Sequence, residues 1–455
     1  ESDATARVAL WQQAEQVLVT DYAAVIPIFH YDRTGLVRPE IESEFPPFGA
    51  PHFMKWRLPE GETTLRVRLS TEPPTLDINL ATDTTSHSIL NQLMESLYRY
   101  KGDGTIEPAG AESYEVSEDG TVYTVYLRQD AVWSDGEPVT AQHYVDGIIR
   151  LLDPATAAEY AYVMWYIEGA EEFNTGEIDD PTAVGVKALD DYTLEITLTG
   201  PQAFFDSILA FFTTYPVRLD VIEEYGDLWT EPGNFVGNGP YVLTEWAHED
   251  HVVIEKNPLY HDADAVTIER VEYPIIVEDA TALTAYERGE LDVSGYPSEE
   301  LPRILEEMPD HFVRMPRPGV YYLGLNFLRP PTDNLNFRKA LASAIDKRAI
   351  LDAVLNMPWR TEAYGVIAPE IPGHQGDAVG YKFDVDAAQQ YLQAALDEMG
   401  IEEAGDIRLN LWFNRGNEDV IESVAEQWET NLGIRVYVVN MEWGAYLQTL
   451  DECND

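Results

Sequence analysis

The stretch IRLNLWFNRGNEDVIESVAEQWETNLGIRVYVVNMEW, residues 407–443, has two short β-rich runs separated by a segment with helical periodicity. The runs 407–414 and 434–443 are rich in branched and aromatic residues, which predicts two strands. Apolar residues at helical spacing predict a helix over 419–433. Because strand, helix and strand in this order build a parallel pair, the stretch predicts an alternating α/β region.

The pattern of predicted secondary structure differs before and after residue 330. Before residue 330 the sequence is rich in predicted hairpins, at 184–201 and 240–258, and Asp-Gly pairs at 103–104 and 119–120 mark two more turns. Helical periodicity is present at 7–20, 86–98, 141–153, 336–355 and 384–400. A hairpin-rich part followed by an alternating part predicts a two-lobed α/β protein.

The charge balance limits the possible partners. The 455 residues include 81 acidic and only 29 basic side chains, a formal net charge of −52. The acids are spread along the whole chain, which favours adaptation to a salty, halophilic medium, where their mutual repulsion is screened. No basic patch is expected to survive this excess, so nucleic acid and anionic membranes are not expected as partners.

Signals for metal, disulfide or covalent chemistry are missing from the sequence. Cys453 is the single cysteine, and none of the common hydrolase, zinc-protease or nucleotide-binding motifs is present. His248 and His251 are three residues apart, but their surroundings predict a hairpin tip and not a zinc site. We therefore expect no metal, no cofactor and no catalytic residues.

Aromatic residues are the more informative class. They cluster at 160–166, at 321–322 and at 412–413, with Trp443 further on. Such residues often fill a core. Aromatics spread over several segments also suit a cleft that encloses a largely apolar ligand. Both interpretations stay open at this point.

From the stretch KWRLPEGETTLRVRLSTEPPTLD (55–77) onward, the sequence resembles the extracytoplasmic solute-binding proteins of the oligopeptide/dipeptide class, bacterial family 5, which deliver ligands to ABC importers, and the resemblance covers essentially the whole chain. The matching runs are STEPPTLD (70–77), ESLYRYKGDGTIEPAGAESYEVSEDGTVYTVYLRQDAVWSDGEPVTAQHYVDG (95–147), VGNGPYVLTEW (236–246), EKNPLY (255–260), RGELDVS (288–294), FRKALASAIDKRAI (337–350) and NLGIRVYVVNMEW (431–443).

The resemblance implies a two-lobed periplasmic-binding-protein fold of type II, with mixed sheets, an extra small subdomain and a hinge between the lobes. It divides the chain into 1–30 in lobe II, 31–84 in lobe I, 85–210 as the extra subdomain of lobe I, 211–322 in lobe I and 323–455 in lobe II. LGLNF, residues 323–327, is the expected strand between the lobes.

The order of segments departs from the family pattern. Residues 7–57 resemble the C-terminal end of family members, whereas TLRVRLSTEPPTLD resembles their mature N-terminus. We therefore expect a circularly permuted order joined near the turn-forming PEGE at 59–62. A family segment with a G-W-x-x-D-Y-x-x-P pattern, whose aspartate holds the α-amino group of peptides, has no match in the chain.

The resemblance also implies a set of ligand-binding residues. These are the loop Glu72, Pro73 and Pro74, expected to pair with peptide backbone; Tyr160, Tyr162 and Tyr31, expected to line the cleft; Trp443, expected in a side-chain pocket; and Arg415 and Asn417, expected near the ligand's C-terminal part. Leu450 falls where peptide binders can carry an arginine that pairs with a carboxylate. For Tyr31 and Trp443, interior packing is the alternative.

The function implied is a periplasmic or extracellular peptide-binding component of an ABC importer, a monomer that closes its lobes on a peptide and passes it to permease subunits. Attachment as a lipoprotein would require an anchor outside this sequence. Three alternatives stay open: the same fold with a nickel complex, sugar or signal molecule as ligand; a secreted acidic hydrolase; and a remnant without a competent cleft.

Overall fold

The computed structural model describes residues 4–414, 417–441 and 449 of the 455-residue chain. These residues form two compact units. Unit 1 consists of residues up to 33 together with residues from 316 onward, and unit 2 of residues 34–315. The finer division predicted from the sequence, with an extra subdomain at 85–210, stays a prediction.

Most strands of the described residues are short, and two of them, the first and the thirteenth, are long. Numbered in chain order, they are β1 (Val25–Val37), β2 (Thr64–Arg66), β3 (Tyr98–Tyr100), β4 (Ile106–Pro108), β5 (Ala111–Val116), β6 (Val122–Leu127), β7 (Val186–Asp190), β8 (Thr193–Thr197), β9 (Tyr241–Ala247), β10 (His251–Lys256), β11 (Arg270–Pro274), β12 (Val293–Ser294), β13 (Phe312–Gly324), β14 (Arg408–Asn414) and β15 (Arg435–Met441).

The α-helices are mostly short. In chain order they are α1 (Ala4–Gln16), α2 (Thr84–Leu93), α3 (Ala141–Leu152), α4 (Ala170–Asn174), α5 (Phe205–Ile208), α6 (Leu219–Tyr225), α7 (Asp279–Glu287), α8 (Leu301–Glu307), α9 (Leu335–Ser343), α10 (Lys347–Ala349), α11 (Val385–Met399) and α12 (Glu418–Leu432). One π-helical turn follows α1 at Val17–Asp21 and another follows α10 at Ile350–Val354.

Unit 2 is built on antiparallel hairpins, as the sequence predicted. The sheet β2-β11-β10-β9 carries the predicted hairpin at 240–258, and the sheet β5-β6-β8-β7 carries the one at 184–201. Strand β2 pairs parallel with β11, so the first sheet is mixed. A continuous apolar core, which includes the fully buried Trp56, Trp133 and Tyr144, lies beneath these sheets.

Unit 1 contains the predicted strand–helix–strand element. Strands β14 and β15 pair in parallel from Arg408 opposite Arg435 to Asn414 opposite Met441, and α12 connects them. The helix buries Trp428, whose indole nitrogen donates to the Leu341 carbonyl at 2.9 Å, so α12 is fixed against α9. The parallel pair predicted from 407–443 is confirmed over the described residues.

The N-terminal segment folds into unit 1. The buried Glu15 carboxylate on α1 accepts hydrogen bonds from the backbone amides of Val366 and Ile367 at 2.7 and 2.8 Å. Helix formation is confirmed, but the apolar stripe that predicted it faces outward, because Leu10 and Trp11 are 52% and 41% exposed. The helix is therefore held mainly by polar contacts of its other face.

Three predicted elements differ from the structure. The helix expected over 336–355 is interrupted after Ser343, because Asp346 accepts from the Ala349 amide and so begins a new helix. The helix expected over 86–98 ends at Leu93, whose carbonyl accepts from Gly239. LGLNF was expected as a strand, but β13 ends at Gly324; the change between units falls earlier in that strand, between residues 315 and 316.

None of the helices in the described residues is both long enough and apolar enough to cross a membrane.

Candidate functional site

The loop Glu72-Pro73-Pro74 follows the first sheet of unit 2 and is anchored by the Glu72 carboxylate. Its Oε1 accepts from the Trp246 indole at 2.8 Å and lies 2.9 Å from His248 Nδ1, and its Oε2 accepts from the Glu249 amide at 2.9 Å. Partial burial alone would raise the pKa of Glu72, but these three hydrogen bonds lower it. The carboxylate therefore stays ionised and fixes the loop to the tip of the β9–β10 hairpin.

The same loop has free backbone hydrogen-bonding groups. Within the described residues, the peptide groups of 70–75 make no backbone hydrogen bond, although Leu69 just before them pairs with 274–276. Pro73 is buried while Ser70, Thr71 and Pro74 are exposed. An anchored and unpaired backbone segment next to a sheet can accept an extended chain by main-chain hydrogen bonding.

Tyr160 and Tyr162 lie together in unit 2, at the start of a short 3-10 turn after α3. Their rings are nearly parallel, with centroids 6.1 Å apart. Tyr160 also packs edge-on against Phe212 at 5.1 Å, and Phe212 packs on His87 at 3.8 Å. Burial lowers the pKa of His87, so its ring is neutral near pH 7 and serves as one more flat surface. Tyr162 is 56% exposed, so this aromatic cluster ends at solvent.

Tyr31 lies in unit 1 on β1, which is paired with β13. Its ring packs edge-on against Phe29 at 5.5 Å and against Tyr321 at 6.3 Å, and Phe29 and Tyr321 stack at 5.0 Å. Tyr31 is 37% exposed, whereas Phe29 is buried. Tyr31 is therefore the solvent-facing member of an aromatic group whose inner members belong to the core of unit 1.

Polar contacts hold this group from behind. The Arg360 guanidinium lies 5.1 Å from the centre of the Phe29 ring and pairs with the buried Asp32 carboxylate. The Trp359 indole donates to the same carboxylate at 2.8 Å. At Gly319 on β13, an added Cβ would come within 3.2 Å of the Tyr31 ring, so the glycine allows the ring to lie against the neighbouring strand.

The other predicted residues are less informative. Asn417 precedes α12 and is partly buried. Arg415 and Trp443 lie outside the described residues. The assignments of Glu72, Pro73, Pro74, Tyr160, Tyr162, Tyr31, Trp443, Arg415 and Asn417 to a ligand therefore stay predictions.

Several neighbours of these residues were not anticipated from the sequence. Phe29 had a signal, because it lies two positions before Tyr31 and so on the same face of a strand. Phe212, His87 and Arg360 had none, because they reach the aromatic groups from segments far away in the chain. In the described part of the chain, no group of three or more potential metal-ligating side chains converges.

Comparison with proteins of known structure identifies the fold class. The structure of the murein tripeptide binding protein MppA of Escherichia coli superposes with a TM-score of 0.69 at 28% sequence identity, covering 87% of this chain and 78% of that protein. The fold is that of the type II periplasmic binding proteins, as predicted.

Two sequence relatives agree with it. The oligopeptide-binding protein OppA of Bacillus subtilis is 35% identical over 86% of this chain and 73% of its own length. The probable deoxycholate-binding periplasmic protein YgiS of Escherichia coli is 32% identical over 85% of this chain and 72% of its own length.

The family model "Bacterial extracellular solute-binding proteins, family 5 Middle" matches residues 105–454. The chain belongs to the bacterial extracellular solute-binding proteins of family 5, which confirms the resemblance. That family consists of binding proteins and not of enzymes.

Proposed function

We propose that this protein is the extracytoplasmic peptide-binding component of an ABC importer. The observation that carries the proposal is the unpaired backbone of residues 70–75, fixed in place by the Glu72 carboxylate. An extended peptide can pair with such a segment through main-chain hydrogen bonds that any sequence offers, whereas aromatic surfaces such as that of Tyr162 receive its side chains. Relatives named for oligopeptide and tripeptide binding support the same ligand class.

Closure of the two units around the ligand is the second part of the proposal. The chain passes between the units within β1 and within β13, so a hinge at these two strands would need changes at few residues. The ligand would favour the closed state only by the difference between its affinities for the two states. No covalent step is part of this proposal.

The test is a calorimetric titration with mixed tri- to pentapeptides in concentrated KCl. We expect saturable binding, weakened about tenfold by Tyr162→Ala, because an aromatic contact surface is lost. Tyr166→Ala is the matched control, since Tyr166 is another exposed tyrosine of the same segment, at 37% against 56% for Tyr162, and packs on Phe204 instead. Absence of peptide binding, with the protein shown to be folded, would contradict the proposal.

A non-peptide ligand is the second candidate, and one observation favours it. The relative YgiS is named for probable deoxycholate binding, so an amphipathic steroid acid belongs in the titration beside sugars and nickel complexes. Saturation by deoxycholate with no response to peptides would select this candidate. Turnover of chromogenic glycoside or peptide substrates would instead favour the acidic hydrolase.

The remaining features of the proposal concern its setting. We propose a monomer that acts outside the cytoplasm, delivers its ligand to permease subunits and is adapted to high salt by its charge of −52. Anchoring as a lipoprotein is compatible with this role. Titration at rising KCl concentrations tests the salt adaptation, since the folded fraction should rise as repulsion is screened.

We also propose that the segments follow a circularly permuted family order. The contacts of Glu15 with Val366 and Ile367 support this, because they join the segment that resembles a C-terminal end to the second half of the chain. The turn at 59–62, where the Glu62 amide donates to the Pro59 carbonyl, would be the joint. Cleavage by a protease site inserted at this turn should leave the folded protein intact.

A further inference from the structure

Unit 2 contains a pocket that none of the predicted ligand residues lines. Its volume is about 1030 Å³. It lies between the loop before β2, the β3–β4 hairpin and the segment that follows β10. The cationic pocket, as we call it, is lined by five of the 29 basic residues of the chain, which are Lys55, Arg57, Arg99, Lys101 and Arg128.

This concentration of positive charge runs against the composition. The chain has nearly three acids for each base, yet here the five bases are accompanied by the carboxylates of Glu44, Asp103, Glu107 and Asp262 in the lining, and by those of Glu95 and Asp130, which pair with Arg99 and Arg128. A net charge of −52 repels anions from most of the surface. A site where acids and bases are nearly balanced is therefore better suited to attract an anion than the strongly acidic remainder of the chain.

The bases are not all neutralised by the resident carboxylates. Within the described residues, the Arg57 guanidinium donates to the carbonyls of Met54 and Trp56, at 2.9 and 2.8 Å, and pairs with no carboxylate. Lys101 contacts Asp103 only at 3.6 Å, in a pair that is largely exposed to solvent. These two residues retain donors for a ligand.

The inner wall is built from buried polar groups. His261 is 3% exposed at its side chain, and its Nε2 lies 2.7 Å from Glu95 Oε2. Its other ring nitrogen, Nδ1, is buried and finds no hydrogen-bond partner among the described residues. Arg99 Nε is likewise buried and has no hydrogen-bond partner among the described residues; the carboxylate of Glu107 is 3.7 Å away. Buried polar atoms usually have partners, so His261 and Arg99 are two lining residues whose hydrogen-bonding capacity is not fully used.

The resident carboxylates restrict which anion can bind. Glu107 already lies 2.6 Å from Lys55, so a monovalent carboxylate would only exchange one such pair for another. A phosphoryl group carries more charge and three oxygens that accept hydrogen bonds from several directions, and arginine forks match it well. The volume leaves room for more than a free phosphate ion.

We propose that the cationic pocket is a binding site for a phosphoryl group, either as free phosphate or as a phosphomonoester. Arg57 and Lys101 supply the hydrogen-bond donors, while the Arg99 guanidinium adds positive charge at the inner wall. The proposal goes beyond the proposed peptide binding and does not depend on it.

The experiment titrates the full-length protein with inorganic phosphate and, separately, with phenyl phosphate, at constant ionic strength and pH. Thermal melting and calorimetry follow binding, since a ligand that binds only the folded state raises the melting temperature. The test variant is Arg57→Gln with Lys101→Gln, both outside the buried Glu95–Arg99–His261 network. The matched control is Lys187→Gln with Lys256→Gln, which removes equal charge elsewhere in unit 2, where each lysine pairs with a glutamate.

We expect saturable binding of at least one probe, weakened about tenfold in the test variant and less than about twofold in the control. Tighter binding of phosphate or of the ester identifies the natural form of the group. Three results would overturn the proposal: no saturation by either probe, equal weakening in both variants, or acetate binding as tightly as phosphate.

Discussion

Arg99 in unit 2 and Lys347 in unit 1 are both buried cations, but their surroundings differ. The Arg99 guanidinium lies 2.8 Å from the Glu95 carboxylate, which also accepts from the Tyr260 hydroxyl and contacts His261. Lys347 Nζ donates to the carbonyls of Ala363 and Tyr381, at 2.8 and 3.4 Å, and lies 4.2 Å from the centre of the Tyr364 ring. No carboxylate of the described residues forms an ion pair with it.

The two environments move the pKa values in opposite directions. Burial works against the charge of Arg99, but Glu95 and Tyr260 outweigh it and raise its pKa. For Lys347, burial dominates and the more distant Glu362 does not compensate, so the pKa falls from 10.5 to about 7. A buried cation is therefore stable when a carboxylate accompanies it, and close to neutralisation when only dipoles do.

The largest effect should come from breaking the paired site. Glu95→Gln keeps the shape of the side chain but leaves Arg99 buried without its counter-ion, a change of about 3–5 kcal/mol in stability. We expect a melting temperature lower by about 5–15 °C. Glu107→Gln is the control. Glu107 is more exposed than Glu95, it pairs mainly with Lys55 at 2.6 Å, and its distance from Arg99 Nε is longer, at 3.7 Å. Equal losses in both variants would show that the Glu95 pair has no special weight.

The absence of a counter-ion for Lys347 among the described residues should make the stability of the protein depend on pH. Between pH 7 and 10.5 the unfolded chain holds a proton on Lys347 that the folded protein lacks, so stability rises with pH by at most about 1.4 kcal/mol per unit. Lys347→Met should remove this slope, measured by urea unfolding across pH 7.5–9.5. Lys382→Met, which removes an exposed lysine, should keep it. An unchanged slope in Lys347→Met would mean that Lys347 stays charged.

A buried histidine extends the comparison to acid pH. Burial, and then the neighbouring His374, lower the pKa of His30 from 6.5 to about 4. The stability that neutral His30 permits is complete above pH 6.5 and is lost as the pH falls toward 4. His30→Leu should therefore lose less stability than the wild type between pH 6.5 and 4.5 in the same unfolding assay. Parallel curves for the two proteins would contradict this.

The smallest effect should come from an exposed pair. Lys187 and Glu195 lie 2.7 Å apart, but the lysine is 63% exposed at its side chain. Lys187→Gln should change the stability by less than about 1 kcal/mol, because water and salt screen such pairs. A loss comparable to that of Glu95→Gln would show that burial is not what separates the sites.

Much of the fold was predictable because it depends on local patterns. The β14–α12–β15 element followed from a change of apolar period between 407 and 443, and the hairpins of unit 2 followed from their turn residues. The outward face of α1 could not be predicted, because periodicity gives a helix but not the side that is covered. That side is chosen by Glu15, whose partners lie about 350 residues away.

The candidate site was less predictable for the same reason. Tyr31, Tyr160 and Tyr162 were predicted as ligand-binding residues through the family resemblance, whereas the anchoring of Glu72 by Trp246 and His248 depends on contacts across 174 and 176 residues. The cations of the cationic pocket are scattered between positions 55 and 128 in an acidic chain. Composition hid them, because a net charge says nothing about local grouping.

The split of unit 1 between both ends of the chain has a consequence for synthesis on the ribosome. Glu15 is translated about 350 residues before the amides that it binds, a delay of roughly 20–70 s at about 5–20 residues per second. Unit 2 is one uninterrupted stretch and emerges entirely within that interval. Helix α1 is therefore without these partners while unit 2 is synthesised, and it can complete unit 1 only after residues 366 and 367 have emerged.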